Sequence, residues 1–403
     1  MLILAIETSC DETAVAIIKG VKILSNVIAS QVELHRKYGG VYPFLAKREH
    51  QRNLPLVLKK ALKEARLLNS KIKSRALGNR ARREMRRSLS DHQNSKLNKT
   101  LGKKIDFIAV TVGPGLEPCL WTGVNFAKEL AQKWNLPIIP VNHIESHIIA
   151  NFIGLNSKFK SRALRNRARR EMRRSLSELQ KSKLQFKIKN LFPAICLVVS
   201  GGHTQLILMK KIGDYKIIGE TRDDAAGECF DKTARILGLP YPGGPAIAAE
   251  AAKLQVTSYK LQVKLPRPMF NSKDYDFSFS GLKTAVLYES QKLKGKNQKY
   301  RKTMCKEIQQ AIIDVLIKKT IKAAKDFKVK SIFLGGGVTA NEELKKQIIE
   351  KCRLKIADCK IFIPSPKEFC LDNAAMVALT GYFHKKEAKN WQKIKANANL
   401  RID

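Results

Sequence analysis

Two histidines one helical turn apart give this sequence its clearest chemical signal. His143 and His147 occupy positions i and i+4 of the segment HIESH, so on a helix both imidazoles project from one face and could bind one metal ion. Glu145 lies two residues from each histidine, about 200° around a helix of 3.6 residues per turn, and should point away from that metal. The spacing therefore differs from H-E-x-x-H, whose glutamate is the general base of zinc peptidases. Two surface histidines on a helix are an equally good interpretation of this segment alone.

Three carboxylates elsewhere in the chain could take part in the same chemistry. Asp372 begins the last predicted helix, where it is either a carboxylate ligand or the N-cap residue, the more frequent use of aspartate at such a position. Asp11 and Glu12 lie at the turn between the first two predicted strands, from which they would reach into a cleft. Paired acids on a hairpin are usually solvated, so a role for these two needs support from other residues.

The apolar pattern predicts the elements that position these side chains. Short apolar runs predict a three-strand meander at 2–6, 13–18 and 21–28, and a second one at 194–199, 205–209 and 216–219. Helices and further strands follow each meander. This repetition predicts a duplicated α/β architecture of the actin-like or sugar-kinase-like kind, in which a nucleotide lies in the cleft between the halves. We place the domains at 1–190 and 191–403, with the last helix packing back on the first domain.

Glycine-rich turns support a nucleotide site. They lie at 200–202, 243–244 and 335–337, each beside an apolar run, and glycine lets backbone N–H groups approach a phosphate closely. Neither the P-loop motif nor G-x-G-x-x-G is present.

The charge of the chain favours a polyanionic partner. Its 403 residues include 76 Lys and Arg against 35 Asp and Glu, a net charge of +41, which favours nucleic acid or an anionic membrane surface. Residues 68–97 and 155–184 are basic copies of one another that differ at five positions and carry +7 and +9. They are either a pair of RNA-binding helices or, in the interpretation we favour, insertions tolerated in two surface loops.

Other features predict a cytoplasmic protein that does not bind a membrane. The eight cysteines are scattered without a C-x-x-C pair, as in reduced cytosolic chains rather than disulfide scaffolds. The N-terminal segment is interrupted by acids and does not resemble a signal peptide. No apolar stretch reaches the roughly 18 residues that suggest a transmembrane helix.

A series of ordered motifs resembles one known family. The motifs are IETSCDET (6–13), HIESH (143–147), LVVSGGHTQL (197–206), DDAAGECFDKTARILGLPYPGGP (223–245), PRPM (266–269), DFSFSGLKT (276–284), GGGVTAN (335–341) and FCLDNAAM (369–376). Together they resemble the TsaD/Gcp family, called Kae in archaea, of tRNA N6-adenosine threonylcarbamoyltransferases. The resemblance covers nearly everything except the two basic copies, which are not part of the family pattern.

The resemblance implies a fold, a reaction and a set of site residues. It implies an actin-like (ASKHA) fold and the transfer of a threonylcarbamoyl group from threonylcarbamoyl-AMP to tRNA. The acceptor is N6 of the adenosine just 3′ of the anticodon in tRNAs that read codons beginning with A. By position, the metal ligands are His143, His147 and Asp372, with Fe(II) expected and Zn(II) as the alternative. The adenylate-binding positions are Val198, Val199, Ser200, Gly201, Gly202, Asp231, Gly244 and Asn341. Asp11 and Glu12 match acids that are tied to activity.

The family also implies partners, and other functions compete with the transferase. The implied partners are tRNA, a TsaB-like inactive paralogue and a TsaE-like ATPase. A metallopeptidase is the first alternative, and the position of Glu145 argues against it. An ASKHA kinase or ATPase would turn over ATP without tRNA, and an RNA-binding scaffold would have lost its site.

Overall fold

The computed structural model describes residues 1–67, 101–153, 188–254, 263–291, 298–356 and 358–403. Both basic copies, 68–97 and 155–184, lie outside the described residues. The chain forms two compact units. The first comprises Met1–Gln31, Val41–Ile149 and Asp372–Arg401, and the second comprises Val32–Gly40, Ala150–Leu371 and Ile402–Asp403. The domain limits at 1–190 and 191–403 stay a prediction.

The first unit is built on a mixed five-stranded sheet. Its strands are β1 (Leu2–Glu7), β2 (Glu12–Lys19), β3 (Lys22–Ser30), β4 (Phe107–Gly113) and β5 (Ile138–Asn142). They are ordered β3-β2-β1-β4-β5. The first three strands pair antiparallel, whereas β4 pairs parallel with both β1 and β5. The helices of this unit are α2 (Pro43–Glu64), α3 (Glu117–Trp134), α4 (His143–Ile149) and α10 (Ala374–Phe383).

The second unit repeats this topology. Its strands are β6 (Ala194–Val199), β7 (Thr204–Lys211), β8 (Asp214–Glu220), β9 (Ser331–Gly335) and β10 (Lys360–Phe362), ordered β10-β9-β6-β7-β8. Again three strands pair antiparallel in chain order, and β9 pairs parallel with β6 and β10. Its helices are α1 (Val32–Arg36), α5 (Ala226–Ile236), α6 (Gly243–Ala252), α7 (Ser280–Gln291), α8 (Gln298–Asp326) and α9 (Glu342–Lys355). The prediction of a duplicated α/β fold is confirmed.

The central strands explain why the sequence reads as apolar runs. All six residues of β6 are buried, and so are five of the six in β1. A strand covered on both faces has no solvent side, so it shows no alternation of polar and apolar residues. Each sheet has its own apolar core, which includes Leu4 and Val110 in the first unit and Leu197 and Leu334 in the second. Of the helices that the structure describes, none is long and apolar enough to cross a bilayer.

Candidate functional site

Several polar side chains of the first unit lie at the carboxyl ends of its parallel strands. The parallel strands β1, β4 and β5 end at Glu7, Gly113 and Asn142, and α4 begins directly after β5. The side chain of Asn142 fixes that start, because its Oδ1 accepts hydrogen bonds from the backbone N–H groups of Ile144 (2.9 Å) and Glu145 (3.1 Å). His143 is therefore held at the carboxyl end of the sheet, where ligand sites of α/β folds usually lie.

His143, His147 and Asp372 converge on one point. Their ligand atoms all lie within 4.8 Å of one another. Oδ1 of Asp372 is 3.1 Å from Nε2 of His147 and 3.7 Å from Nε2 of His143. The two imidazole rings share one face of α4, as the i and i+4 spacing predicted, with centroids 4.7 Å apart. The structure thus brings Asp372, which is distant in sequence, to the two histidines of α4.

The surroundings of these residues fit a metal ion. His147 is 1% exposed, and within the described part of the chain neither of its ring nitrogens makes a hydrogen bond, although Nε2 is in ion-pair range of Asp372 Oδ1. A buried polar atom without a hydrogen bond is costly, and a metal ion would satisfy it. The N-cap of α10 is Asn373, whose Oδ1 accepts a hydrogen bond from Met376 N at 3.1 Å. Asp372 is therefore not needed as the cap, so the competing interpretation of this aspartate is wrong.

Glu7 supports His143 through the ring nitrogen Nδ1. This carboxylate is fully buried; its Oε1 accepts a hydrogen bond from Ser9 N and its Oε2 accepts one from Thr111 Oγ1, each at 2.6 Å. The same Oε2 lies 3.3 Å from His143 Nδ1, which is also 3.2 Å from Ser9 Oγ. An imidazole held at Nδ1 presents Nε2 to a metal, and such a carboxylate partner fixes the ring and raises its basicity.

Burial and neighbouring charges together set the pKa values of His143 and Glu7. Burial opposes the charged form of His143, but the carboxylates of Asp372 and Glu7 raise its pKa to about 9. Burial likewise opposes ionisation of Glu7, yet His143 keeps the pKa of Glu7 below its ordinary value. Without a metal the two carboxylates thus retain a proton on His143, which a metal ion would displace.

Asp11 lies in the loop after β1 and Glu12 is the first residue of β2, and both are partly buried. Burial raises the pKa of Asp11 to about 6, and the charge of Asp372 adds to this shift. Burial also raises the pKa of Glu12 to about 8, although Ser30 Oγ donates a hydrogen bond of 2.7 Å to its Oε1. The loop is anchored by the buried His50, whose ring nitrogens lie 2.9 Å from the carbonyl oxygen of Cys10 and 2.8 Å from Thr13 Oγ1. These two acids are therefore not the solvated pair of an ordinary hairpin.

Glu145 takes no part in the cluster of His143, His147 and Asp372. Its Oε1 lies 2.7 Å from Nε2 of His384, whose Nδ1 is 2.6 Å from Oε1 of Glu387. The hydrogen bond that Glu145 Oε1 accepts from His384 is the main reason why the pKa of His384 is raised to about 9. A glutamate committed to this ion pair is not placed to activate a water on the metal, which removes the structural basis of the peptidase alternative.

In the second unit the glycine-rich turns lie side by side. Val198 pairs with Gly335 in the parallel β6–β9 ladder, so the loops that follow, 200–202 and 336–337, leave the same edge of the sheet. Around Gly201 and Gly202 there is open space: a Cβ on either would have no heavy atom within 4 Å. Val198 and Val199 are buried in β6, and Ser200 N donates a 2.8 Å hydrogen bond to the carbonyl of His203.

The remaining predicted adenylate residues are Asp231, inside α5, and Gly244 and Asn341, at the starts of α6 and α9. Asp231 Oδ1 accepts a 2.6 Å hydrogen bond from Gly243 N, at the first residue of α6, and Gly244 follows. Asn341 caps α9: its Oδ1 accepts a hydrogen bond from Leu344 N at 3.0 Å, and its Nδ2 donates one to Gln309 Oε1 at 2.8 Å. The predicted residues thus occupy the end of β6 with its following loop and two helix starts of the second unit, and their part in adenylate binding stays a prediction.

Comparison with known proteins shows which family the chain belongs to. A family model described as TsaD, tRNA N6-adenosine threonylcarbamoyltransferase, matches residues 22–80, 90–164 and 177–379. This chain belongs to the TsaD family.

Relatives of this TsaD-family chain match it along its length. A tRNA N6-adenosine threonylcarbamoyltransferase of Thermosipho africanus is 41% identical over 403 residues, which cover 100% of both chains. One of Syntrophomonas wolfei is 42% identical over 384 residues, 95% of this chain and 92% of the relative. Among solved structures, full-length HypF in its phosphate- and nucleotide-bound form has a TM-score of 0.51 at 12% identity and covers 97% of this chain and 56% of that one. The last match supports the ASKHA-like fold alone.

The family match also locates where this TsaD-family chain departs from the family model. The match is interrupted at 81–89 and at 165–176, and both interruptions fall inside the basic copies. The prediction that the copies do not follow the family pattern is thus supported for their central segments, while their flanks are matched.

Sequence reasoning missed several residues that shape the site. Glu7 stood in the motif IETSCDET, but only its contacts with Thr111 and His143 show what it does. The steric reason for two glycines was also missed: Gly227, and Gly336 of the predicted turn at 335–337. A Cβ on Gly227 would lie 2.4 Å from the carbonyl oxygen of Ser200, and one on Gly336, whose φ is +88°, would lie 2.4 Å from that of Val199. A buried acid at the end of an apolar strand was the available signal for Glu7.

Replacing Glu7 by glutamine should weaken metal binding by about 10- to 100-fold, the usual cost of losing a carboxylate that supports a metal-ligating histidine. The change keeps the size of the side chain and removes the charge that faces His143 Nδ1. A competition titration of Zn²⁺ against a chromophoric chelator would measure it. Glu64→Gln, an exposed change near the end of α2, is the control. Equal affinities for Glu7→Gln and the wild type would contradict this role.

Proposed function

We propose that this chain transfers the threonylcarbamoyl group from threonylcarbamoyl-AMP to N6 of the adenosine just 3′ of the anticodon in tRNAs reading codons that begin with A. The observation that carries the proposal is the 41% identity to a transferase of that name over the whole of both chains. The cluster of His143, His147 and Asp372 and the open glycine loop at 200–202 are consistent with it.

His143, His147 and Asp372 would hold one divalent metal ion. Two imidazoles and one carboxylate are the ligand set of many non-haem Fe(II) sites, so we propose Fe(II), with Zn(II) as the alternative that the same ligands accept. When bound, the metal supplies a Lewis acid that polarises a carbonyl or phosphate oxygen of the substrate.

The adenylate would bind at the edge of the second sheet. Backbone N–H groups of the loop Val198, Val199, Ser200, Gly201 and Gly202 are suited to phosphate oxygens. Asp231 holds the start of α6 at Gly243 and thereby places Gly244, while the amide of Asn341 is fixed by Gln309. These side chains hold the acyl-adenylate in place, and positioning of that kind is worth several kcal/mol in a transfer between two bound substrates.

The acids after β1 would handle the proton. The acyl-adenylate already carries AMP as a good leaving group, so no covalent enzyme intermediate is needed. Attack by N6 forms the new C–N bond, breaks the bond between the carbamoyl carbon and the phosphate oxygen, and releases a proton from the amine. We assign acceptance of that proton to Asp11 or Glu12.

A pH–rate profile should distinguish the two acids. A base must be ionised, so the single-turnover rate should fall as the pH drops through the pKa of whichever acid accepts the proton. The limb should lie near pH 6 for Asp11 and near pH 8 for Glu12. Asp11→Asn or Glu12→Gln, whichever removes the base, should abolish both the limb and most of the rate. A rate independent of pH across this range, or full activity in Asp11→Ala and in Glu12→Ala, would rule out both.

The proposed protein partners and cellular location also rest on membership of the family. We propose that the chain works with a TsaB-like paralogue and a TsaE-like ATPase, and that it acts on tRNA in the cytoplasm. The net charge of +41 is consistent with a tRNA substrate.

The decisive experiment is transfer of labelled threonine to tRNA. The purified chain is combined with ATP, bicarbonate, a threonylcarbamoyl-AMP synthase and the candidate partners. Label should enter a tRNA that carries the target adenosine and should not enter the same tRNA with guanosine at that position. Absence of transfer under every combination of partners would overturn the proposal. ATP turnover by the chain alone would favour a kinase or ATPase, and chelator-sensitive cleavage of peptides would favour the peptidase.

A further inference from the structure

Two faces of the short helix α4 contact residues at the two ends of α10. One face carries His143 and His147, which meet Asp372 just before α10. The opposite face carries Glu145, whose Oε1 is 2.7 Å from Nε2 of His384, the residue that follows α10. All of these residues lie in the first unit. Helix α4, which has only seven residues, thus contacts residues at both ends of α10 from two opposite faces.

We infer that Glu145 is a positioning residue, which fixes the rotation of α4 about its axis and so aims His143 and His147 at Asp372. The inference rests on the proposed metal site. The pair is well shielded, with side-chain exposures of 9% for Glu145 and 14% for His384. A buried hydrogen bond of this length is directional, so it resists rotation of the helix in a way that apolar packing alone does not.

The geometry shows why a small rotation matters. Side-chain tips lie about 5 to 6 Å from a helix axis, so turning α4 by about 20° would move the imidazole nitrogens by roughly 2 Å. Metal–ligand distances must hold within about 0.2 Å. Because both histidines belong to one rigid turn, one contact on the opposite face controls both ligands together.

His384 is itself held in place. Its Nδ1 lies 2.6 Å from Oε1 of Glu387, three residues further along the chain. Both ring nitrogens therefore have carboxylate partners, and the imidazole is fixed in the orientation that meets Glu145. The contact joins the end of α10 to α4, while Asp372 lies at the other end of α10, so the ligand set is tied together through a single helix.

Titration of the full chain with Zn²⁺ alone, in competition with a chromophoric chelator, tests this role. Glu145→Ala and His384→Ala should each weaken Zn²⁺ binding by about 10- to 100-fold. The double variant should be no weaker than either single one by more than about twofold, because both changes remove the same contact. Glu145→Gln keeps an acceptor for His384 and should recover most of the affinity. Glu129→Ala, an exposed change on α3, is the matched control and should bind like the wild type.

Several outcomes would overturn the inference. Unchanged Zn²⁺ affinity in Glu145→Ala and His384→Ala, with circular dichroism showing both folded, would leave the pair a structural contact only. Glu145→Gln as weak as Glu145→Ala would mean that charge matters rather than orientation, which also overturns it. A wild-type chain that binds no Zn²⁺ would overturn the metal site together with this inference, whereas loss of threonine transfer with Zn²⁺ affinities as expected would bear on the proposed reaction alone.

Discussion

Replacing His147 by alanine should abolish stoichiometric metal binding and slow transfer of threonylcarbamoyl to tRNA by at least about 100-fold. His147 is 1% exposed, and its Nε2 lies 3.1 Å from Oδ1 of Asp372. Removing it leaves only two ligands. Lewis-acid stabilisation of a transition state is worth several kcal/mol, and each 1.36 kcal/mol corresponds to about a factor of ten in rate. Zn²⁺ titration and a single-turnover assay with labelled threonine measure the two effects.

A second ligand variant keeps this prediction independent of folding. Asp372 is more exposed than His147, at 20% for its side chain, so Asp372→Asn should fold and still lose most of its metal affinity. Asp358→Asn makes the same chemical change at an exposed position of the second unit and should behave as the wild type. Transfer at the wild-type rate by a His147→Ala chain that contains no metal would show that the cluster does not serve the reaction.

Replacing Gly336 by alanine should destabilise the second unit by about 2 to 4 kcal/mol and weaken adenylate binding by at least about tenfold. The residue has φ +88°, which costs an L-amino acid roughly 1–2 kcal/mol, and its Cβ would lie 2.4 Å from the carbonyl oxygen of Val199. Relief of that contact must displace the end of β6 and the loop at 200–202 that we assign to the adenylate. Denaturant unfolding followed by circular dichroism gives the stability, and equilibrium dialysis of AMP gives the affinity.

The adjacent glycine provides the control. A Cβ on Gly337 would have Leu371 Cδ2 at 3.5 Å as its nearest neighbour, an ordinary contact, and its φ lies outside the left-handed region. Gly337→Ala should therefore change stability by less than about 1 kcal/mol. If both variants had the same stability and the same affinity for AMP, the close approach of the two strand ends at Gly336 would have no part in shaping this site.

Much of the fold could be predicted because local sequence patterns indicate its strands and helices. Strands such as β1 and β6 are buried on both faces, so they appear as short apolar runs. The two meanders recur in order, and that recurrence indicated the duplication. The face shared by His143 and His147 follows from 3.6 residues per turn, and the same periodicity predicted that Glu145 would leave that face. Local geometry needs no knowledge of what lies across the sheet.

The use of Asp372 shows where local patterns stop. An aspartate before a helix is most often an N-cap, and the sequence left that interpretation open. Asn373 caps the helix instead, and Asp372 meets His147 because α10 packs against α4 and β1. Its place as the third member of the cluster was suggested by resemblance, whereas the distance of 3.1 Å to His147 belongs to the folded chain.

The sequence by itself therefore determined the family, the strands and helices that repeat, and the two histidines on one face, since each depends on neighbours along the chain or on the order of motifs. Only the tertiary structure decided that Glu7 holds His143, that Glu145 pairs with His384, and that Gly336 is needed for close approach to Val199. Those relations join residues that are distant in sequence, and they arise when parallel strands end at a common edge and a C-terminal helix returns to the first sheet. The periodicity of the sequence does not predict these contacts, because tertiary packing decides which distant residues come together.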